Sequence, residues 1–467
     1  QNMVRVWGGG VYEPDFFYKE CDRLGLLVWQ DFMFSCGQYP ANLDWFRQSV
    51  YEEVKFQVRR LLQFCSVAIF VGNNEDYNIA EAYKLDWDKE NNSGEYLNTS
   101  FPARTLYESI FPRIVKLYSP SIPYHPGSPW GGSKTGDTSE GDIHQWNVWH
   151  GTHEKYQIWF KLGGRFISEF VMESLPSFDV YQSCISDKLQ LYPQSEYLDH
   201  HNKAVGFDHR LPLYVWENFR VRDINLKSWV YVTQLMQADC VGFAFKFWRR
   251  RWNDNVCGRE IGGCLVWQLN DCWPVASWSI IDYHKCPKLS YFAIKRECKP
   301  IQLGIHRING RISLWAVNSR NDLLTGTIKV FTMLESGEVM QRCHVPLTMI
   351  KANLTTEIFN DLCIKEYEIV HAILIVEGKM VALTGDWPQP LKNLTFGVRK
   401  VEYIIVGTTI ELWCDKPVKG VFIESKKKGL ILDLDDNGFD LFPATNTYVN
   451  CKNLLPGMDI SISFYEN

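Results

Sequence analysis

The run Val67-Ala68-Ile69-Phe70-Val71, which stops at Gly72-Asn73-Asn74-Glu75-Asp76, leaves this chain few folds to choose from. A short apolar run rich in β-branched residues, with no polar alternation, is a strand covered on both faces, as in a parallel sheet wrapped by helices. Polar residues massed at its C-terminal end suit a (β/α)8 barrel, where reacting groups sit at the ends of strands. A second run, Gly164-Arg165-Phe166-Ile167-Ser168-Glu169-Phe170, repeats the device, again closing on a carboxylate.

The stretches around these two runs keep a βαβ rhythm, which needs a parallel sheet with helices outside. Val4 to Trp7 reads as a strand opening into Gly8-Gly9-Gly10, and Phe16 to Leu24 as a helix stopped by Gly25. Leu26 to Phe32 is the next strand, and Leu43 to Gln63 carries apolar residues at helical spacing. Asp86 to Ser100 is a polar insertion. Helices are expected over Ala103 to Tyr118 and Asp223 to Asn253. Strand ends fall at Trp7, Asp31, Glu75, His125, His144, Glu169 and Asp271, which is seven where a closed barrel has eight. With its abrupt start in mid-strand, the chain reads as a C-terminal fragment whose barrel, residues 1–300, lacks the first strand.

Beyond about Pro300 helical periodicity gives way to short alternating runs such as Arg311 to Val317 and Ala372 to Val376, separated by turn residues. Strands at that spacing predict β-sandwiches. The loop Asp386-Trp387-Pro388-Gln389-Pro390 divides them into an Ig-like module, 301–386, and a C-terminal one, 387–467. The expected fold is therefore multidomain, α/β followed by all-β.

Two carboxylates delivered to one rim are the minimal equipment for cleaving a glycosidic bond: one protonates the leaving oxygen, the other meets the developing oxocarbenium ion. Glu75 and Glu169 are the candidate pair. An aromatic share of 14%, with 18 Trp, suits large cores and also a pocket of flat faces for sugar rings. A net charge of −5 offers no footprint for nucleic acid, and no apolar stretch is long enough to span a bilayer. Fourteen cysteines without a scaffold pattern favour a reducing, cytoplasmic compartment. There is no Cys-x-x-Cys pair, and His153-Glu154-Lys155-Tyr156-Gln157 lacks the closing histidine of a zinc-protease helix. No metal or organic cofactor is expected, because two carboxylates suffice.

The runs Arg5-Val6-Trp7-Gly8-Gly9-Gly10, Val28-Trp29-Gln30-Asp31-Phe32, Gly72-Asn73-Asn74-Glu75-Asp76, Phe166-Ile167-Ser168-Glu169-Phe170 and Val266-Trp267-Gln268-Leu269-Asn270-Asp271 resemble the β-mannosidases of glycoside hydrolase family 2. Gly141 to Gly151, with Asp142-Ile143-His144-Gln145-Trp146 at its start, looks most like the fungal intracellular type. The resemblance implies exo-hydrolysis of terminal β-D-mannosyl residues with retention at the anomeric carbon. It makes Glu75 the general acid/base and Glu169 the nucleophile, with Asn74 on the sugar 2-hydroxyl. Trp7, Asp31, His144, Trp146, Trp267 and Asp271 would shape the substrate pocket, although Asp31 and Asp271 suit structural pins equally well. Of the pair, Glu75 is expected to hold the proton in the resting site. Val171 stands where the family has glycine, and a Cβ there could crowd the turn past Glu169. Glu173 reads as a surface charge, and is the alternative nucleophile if the register slips. The expected partner is a β-mannoside oligosaccharide, with a homodimer left open. A β-galactosidase, a β-glucuronidase and a sugar-binding paralogue without turnover remain as alternatives.

Overall fold

The computed structural model describes residues 1–253, 258–443 and 445–466. The chain forms two compact units, one made of residues 1–146, 162–170 and 261–266, the other of 147–161, 171–260 and 267–467.

In the first unit, strands β1 (Met3–Val6), β2 (Leu27–Asp31), β3 (Val67–Val71) and β4 (Tyr124–His125) pair in that order, all parallel. Helices α1 (Asp15–Leu24), α2 (Asp44–Leu61), α3 (Asp76–Ala82) and α4 (Phe111–Tyr118) lie between or after them. Gly25, in the left-handed conformation at φ 68°, ends α1, and its N–H bonds back to Asp22 and Cys21. On α2, Val50, Val54, Val58 and Leu61 form one buried stripe that joins Val28, Phe32, Val67 and Phe70 of the sheet in a single core. The stretch expected as one helix from Ala103 opens with a π-helical turn, Leu106–Ile110, before α4. The polar insertion is clasped at its base: Asp86 and Ser100 exchange hydrogen bonds of 2.8–3.0 Å, and Arg104 donates to the carbonyls of Asp88 and Asn91.

Strands β5 (Ile143–His144) and β6 (Ile167–Glu169) form a second parallel pair, continued by a bridge from Ile167 to Cys264. The strand expected to end at Asp271 is thus reduced, among the described residues, to bridges at Cys264 and Asn270.

The second unit contains the long helix Leu226–Arg250, capped by Asn225, whose side chain accepts from the Ser228 N–H. Among the described residues no helix is long and apolar enough to cross a membrane. The strands that follow are β7 (Ile301–Ile308), β8 (Arg311–Asn318), β9 (Leu324–Met333), β10 (Val339–Ile350), β11 (Leu354–Cys363), β12 (Ile369–Val376) and β13 (Lys379–Asp386). They make two antiparallel sheets, β10-β9-β12-β13 and β11-β8-β7, whose inward residues pool in one core including Leu303, Leu314, Val330 and Leu374. A further core, with Ile410, Leu412, Val421 and Leu441, is enclosed by the strands from Val401 to Ser463.

Candidate active site

The groups of interest gather where the parallel strands end. The backbone ladder continues past those ends, through bridges from Ser35 to Asn74 and from Asn74 to Ser128. Gly72 permits it, since a Cβ there would stand 2.1 Å from the Pro126 carbonyl oxygen. Glu75 is the hinge from this ladder into α3. Its N–H donates to the Ser128 carbonyl at 2.8 Å, and its backbone takes the left-handed conformation at φ 65°. A non-glycine residue held there costs about 1–3 kcal/mol, a strain that gathers at functional positions.

Glu169 ends β6, and its carbonyl accepts the Gln145 N–H, which sets Trp146 beside the site along the chain. The two carboxylates meet across one imidazole. His144 Nδ1 lies 2.7 Å from Glu75 Oε1 and 3.3 Å from Glu169 Oε2. The nearest donor atoms of Glu75, His144 and Glu169 all lie within 4.8 Å of one another. The His144 and Glu169 side chains are buried, while Glu75 keeps 26% of its side chain exposed.

Arg5 is the cationic hub, and no sequence signal singled it out. Its guanidinium donates to Asp31 Oδ2 (2.8 Å), Asn74 Oδ1 (2.9 Å) and Glu169 Oε1 (2.9 Å). Burial would lower its affinity for the proton, but the charges of Asp31 and Glu169 outweigh burial and hold the guanidinium firmly protonated. Asp31 is pinned by the Gly8 N–H and Trp29 Nε1 as well. It therefore positions Arg5, which is the structural alternative weighed for it above. Cys36 Sγ lies 3.5 Å from Glu75 Oε2.

Electrostatics reverse the expected order of the two acids. Burial pushes Glu169 up to about 7, against the pull of His144 and Arg5. For Glu75, burial is outweighed by the hydrogen bond and charge of His144, and its carboxyl is lowered. His144 is raised, since the charge of Glu169 and the hydrogen bond that the ring donates to Glu75 outweigh its burial. Both shifts favour the proton on the ring over Glu75. The Glu75-His144-Glu169 cluster is compact enough to surround a cation. Its anionic charge is already met by Arg5 and His144, so the donor set suits proton handling better than a metal.

A polar chain backs His144. Ser128 Oγ lies 3.0 Å from Nε2 of the ring and donates to Asp142 Oδ2 at 2.6 Å. Asp142 also takes the Ser168 hydroxyl and the Trp130 N–H and pairs with His125 Nε2. None of Ser128, Asp142 or Ser168 was singled out from sequence, though Asp142 and Ser168 sit within the motifs noted there, and His125 was noted only as a strand end.

Trp7 follows β1, half-buried, at the mouth of the glycine loop, where a Cβ on Gly9 would run into its ring. Trp267 and Asp271 belong to the second unit. There Asp271 accepts from Ser277, Ser279 and Gln268, the bonding of a loop pin. Glu173, expected at the surface, is fully buried. It accepts from Asn202 at 3.1 Å, and burial pushes it up to about 8.

Val171 has φ 141° and is 1% exposed, so the position takes a backbone that glycine adopts freely and valine does not. Relief of about 1–3 kcal/mol of strain in Val171→Gly is offset by about 1.5–3 kcal/mol of lost burial. Urea denaturation is expected to find this variant nearly as stable as the parent. Val67→Gly, in the ordinary strand β3, should cost about 3 kcal/mol. Equal losses at the two positions would remove strain as the explanation.

Reacting groups set at the carboxyl ends of parallel strands, with two acids facing one another, define the class of α/β proteins that carry a two-carboxylate site. No family model matches the chain. Over 98% of its length it is 42% identical to β-mannosidase B of Aspergillus clavatus, and over 95% it is 41% identical to that of Aspergillus niger. The β-D-mannosidase of Dictyoglomus thermophilum superposes over 99% of the chain with a TM-score of 0.86 at 29% identity. An exo-chitosanase from Amycolatopsis orientalis, 16% identical, shares the fold with a TM-score of 0.70 over 99% of this chain and 59% of its own. The chain belongs to the glycoside hydrolase family 2 β-mannosidases, and it spans about half the length of the curated relatives it matches (56% of the first, 55% of the second) and 56% of the Dictyoglomus enzyme.

Proposed function

We propose that the chain carries the catalytic machinery of a retaining exo-β-mannosidase, built on a (β/α)8 barrel of residues 1–300 and followed by β-sandwich modules at 301–386 and 387–467. The observation that carries this reading is the approach of the Glu75 and Glu169 oxygens to within 4.8 Å of each other. Retaining glycosidases hold their carboxyl groups about 5–5.5 Å apart, whereas inverting ones leave about 6.5–9.5 Å for a water. Glu169, oriented by Arg5, is the nucleophile, and Glu75 is the acid that protonates the leaving oxygen and then the base for water. Asn74, whose oxygen accepts from Arg5 and whose amide nitrogen donates to Ser35 Oγ and Cys36 Sγ, is the group assigned to the sugar 2-hydroxyl. Trp7, Trp146 and His144 complete the substrate pocket.

Matched nitrophenyl glycosides test the reading, given both to the chain alone and to the same chain extended at its N-terminus. Mannose release, with the β-anomer formed first by NMR, is the expected result. Release of galactose or glucuronic acid instead would transfer the site to another exo-glycosidase. The strained Val171 favours one second reading, a paralogue that binds sugar without turnover. Mannoside binding with no hydrolysis in either form of the chain would select it.

A further inference from the structure

Glu75 Oε1 and His144 Nδ1 lie 2.7 Å apart, so a single proton is shared between them. Where that proton rests depends on the far side of the ring. Ser128 Oγ faces Nε2 at 3.0 Å and Ser168 Oγ at 3.2 Å, yet its shortest contact is to the Asp142 carboxylate, 2.6 Å away, to which a hydroxyl can only donate. A hydroxyl has one proton and two lone pairs, so a serine already donating to a carboxylate offers the histidine only a lone pair. A proton on Nε2 lets the ring donate to that lone pair, whereas the Arg5 N–H, 3.5 Å from Nε2, can reach the same nitrogen only when it is bare, so the serine and the guanidinium compete to set the tautomer. Asp142 is buried at 3% exposure and held by Ser168, the Trp130 N–H and His125, which keeps it an acceptor.

We propose that Asp142, acting through the Ser128 hydroxyl, fixes a proton on Nε2 of His144 and thereby makes Nδ1 the store for the proton that Glu75 delivers. Ser128 and Asp142 are positioning residues. The inference rests on the acid role proposed for Glu75. At rest His144 carries both ring protons and Glu75 is a carboxylate. Around the ring stand Glu169, 3.3 Å from Nδ1, and Arg5, 3.5 Å from Nε2, with Asp31 behind Arg5, His125 behind Asp142 and the Cys36 thiol on Glu75. When a sugar oxygen reaches Glu75, the Nδ1 proton passes to Glu75 and on to that oxygen as the glycosidic bond breaks and the Glu169 bond forms. In the second step water gives its hydroxide to the anomeric carbon, the Glu169 bond breaks, and the water's proton returns through Glu75 to Nδ1. One water is divided between the two products, and the Glu75-His144 pair ends with the proton it began with.

Nitrogen NMR of ¹⁵N-histidine-labelled, unliganded protein tests this without turnover, with the His144 signals identified by their loss in His144→Gln. In the parent, Nε2 is expected to stay protonated from about pH 5 to pH 9 while Nδ1 titrates. In Ser128→Ala and in Asp142→Asn the preference for Nε2 should disappear. A parent ring bare at Nε2, or a tautomer unchanged in both variants, overturns the proposal. Kinetically, each variant is expected to lose about tenfold in kcat on an alkyl β-mannoside with little change in KM, and much less on a dinitrophenyl β-mannoside, whose leaving group needs no acid. Equal losses on both substrates would also overturn it. If the parent hydrolyses neither substrate, the mannosidase reading and the delivery step fail together, while the NMR result still decides the tautomer.

Discussion

Glu169→Gly is expected to lower kcat/KM on a nitrophenyl β-mannoside by about 10⁴-fold or more, and added azide to restore part of the loss as α-mannosyl azide. The direction follows from the geometry. Glu169 Oε1 is held by Arg5 and Oε2 faces His144, so the carboxylate is fixed at both oxygens and its removal empties a small anion site next to a guanidinium. Azide in that space attacks from the face the carboxylate used and inverts the β-linkage to α. Recovery of the β-azide would place the nucleophile elsewhere, and a variant that keeps its activity would end the double-displacement reading.

Glu75→Ala should divide substrates by their need for a proton. On an alkyl mannoside or an oligosaccharide the first step is expected to fall by about 10²–10⁴-fold, whereas dinitrophenyl mannoside should lose far less at that step and accumulate the glycosyl-enzyme. Pre-steady-state bursts separate the two steps. The lowered Glu75 of the unliganded pocket does not argue against the acid role, because the His144 proton lies one short transfer away. Equal slowing of both substrates would count against it.

The parts of this site that were legible in the sequence are those written locally. The apolar run closing on Gly72-Asn73-Asn74-Glu75 declared both strand β3 and the chemistry at its tip, because burial on two faces and the switch to polar residues are properties of neighbouring positions. Val171 stood out only through the family resemblance, as a position where glycine is usual, and its φ of 141° is a backbone that glycine adopts freely. Arg5 was not. It lies one residue before the end of a four-residue strand, and nothing near it reveals partners contributed by Asp31, Asn74 and Glu169. Ser128 was missed for the same cause, since its role depends on which of two groups receives its one proton. Glu173 was misplaced because a charged residue four positions past a strand looks like surface until a partner such as Asn202 covers it. The strand expected at Asp271 failed differently: its polar end was real, but hydrogen bonds from Ser277 and Ser279 organise it as a loop.

The hub at Arg5 joins partners 26, 69 and 164 positions further along the chain. During synthesis its guanidinium therefore has Asp31 early but cannot meet Glu169 until well over a hundred more residues have left the ribosome. Chain segments that emerge first can settle as helix and sheet, yet the charged centre stays unfinished and wet until then. Truncations that stop short of β6 would be expected to release a nascent chain with half its ion pairs unmade, a natural target for chaperones.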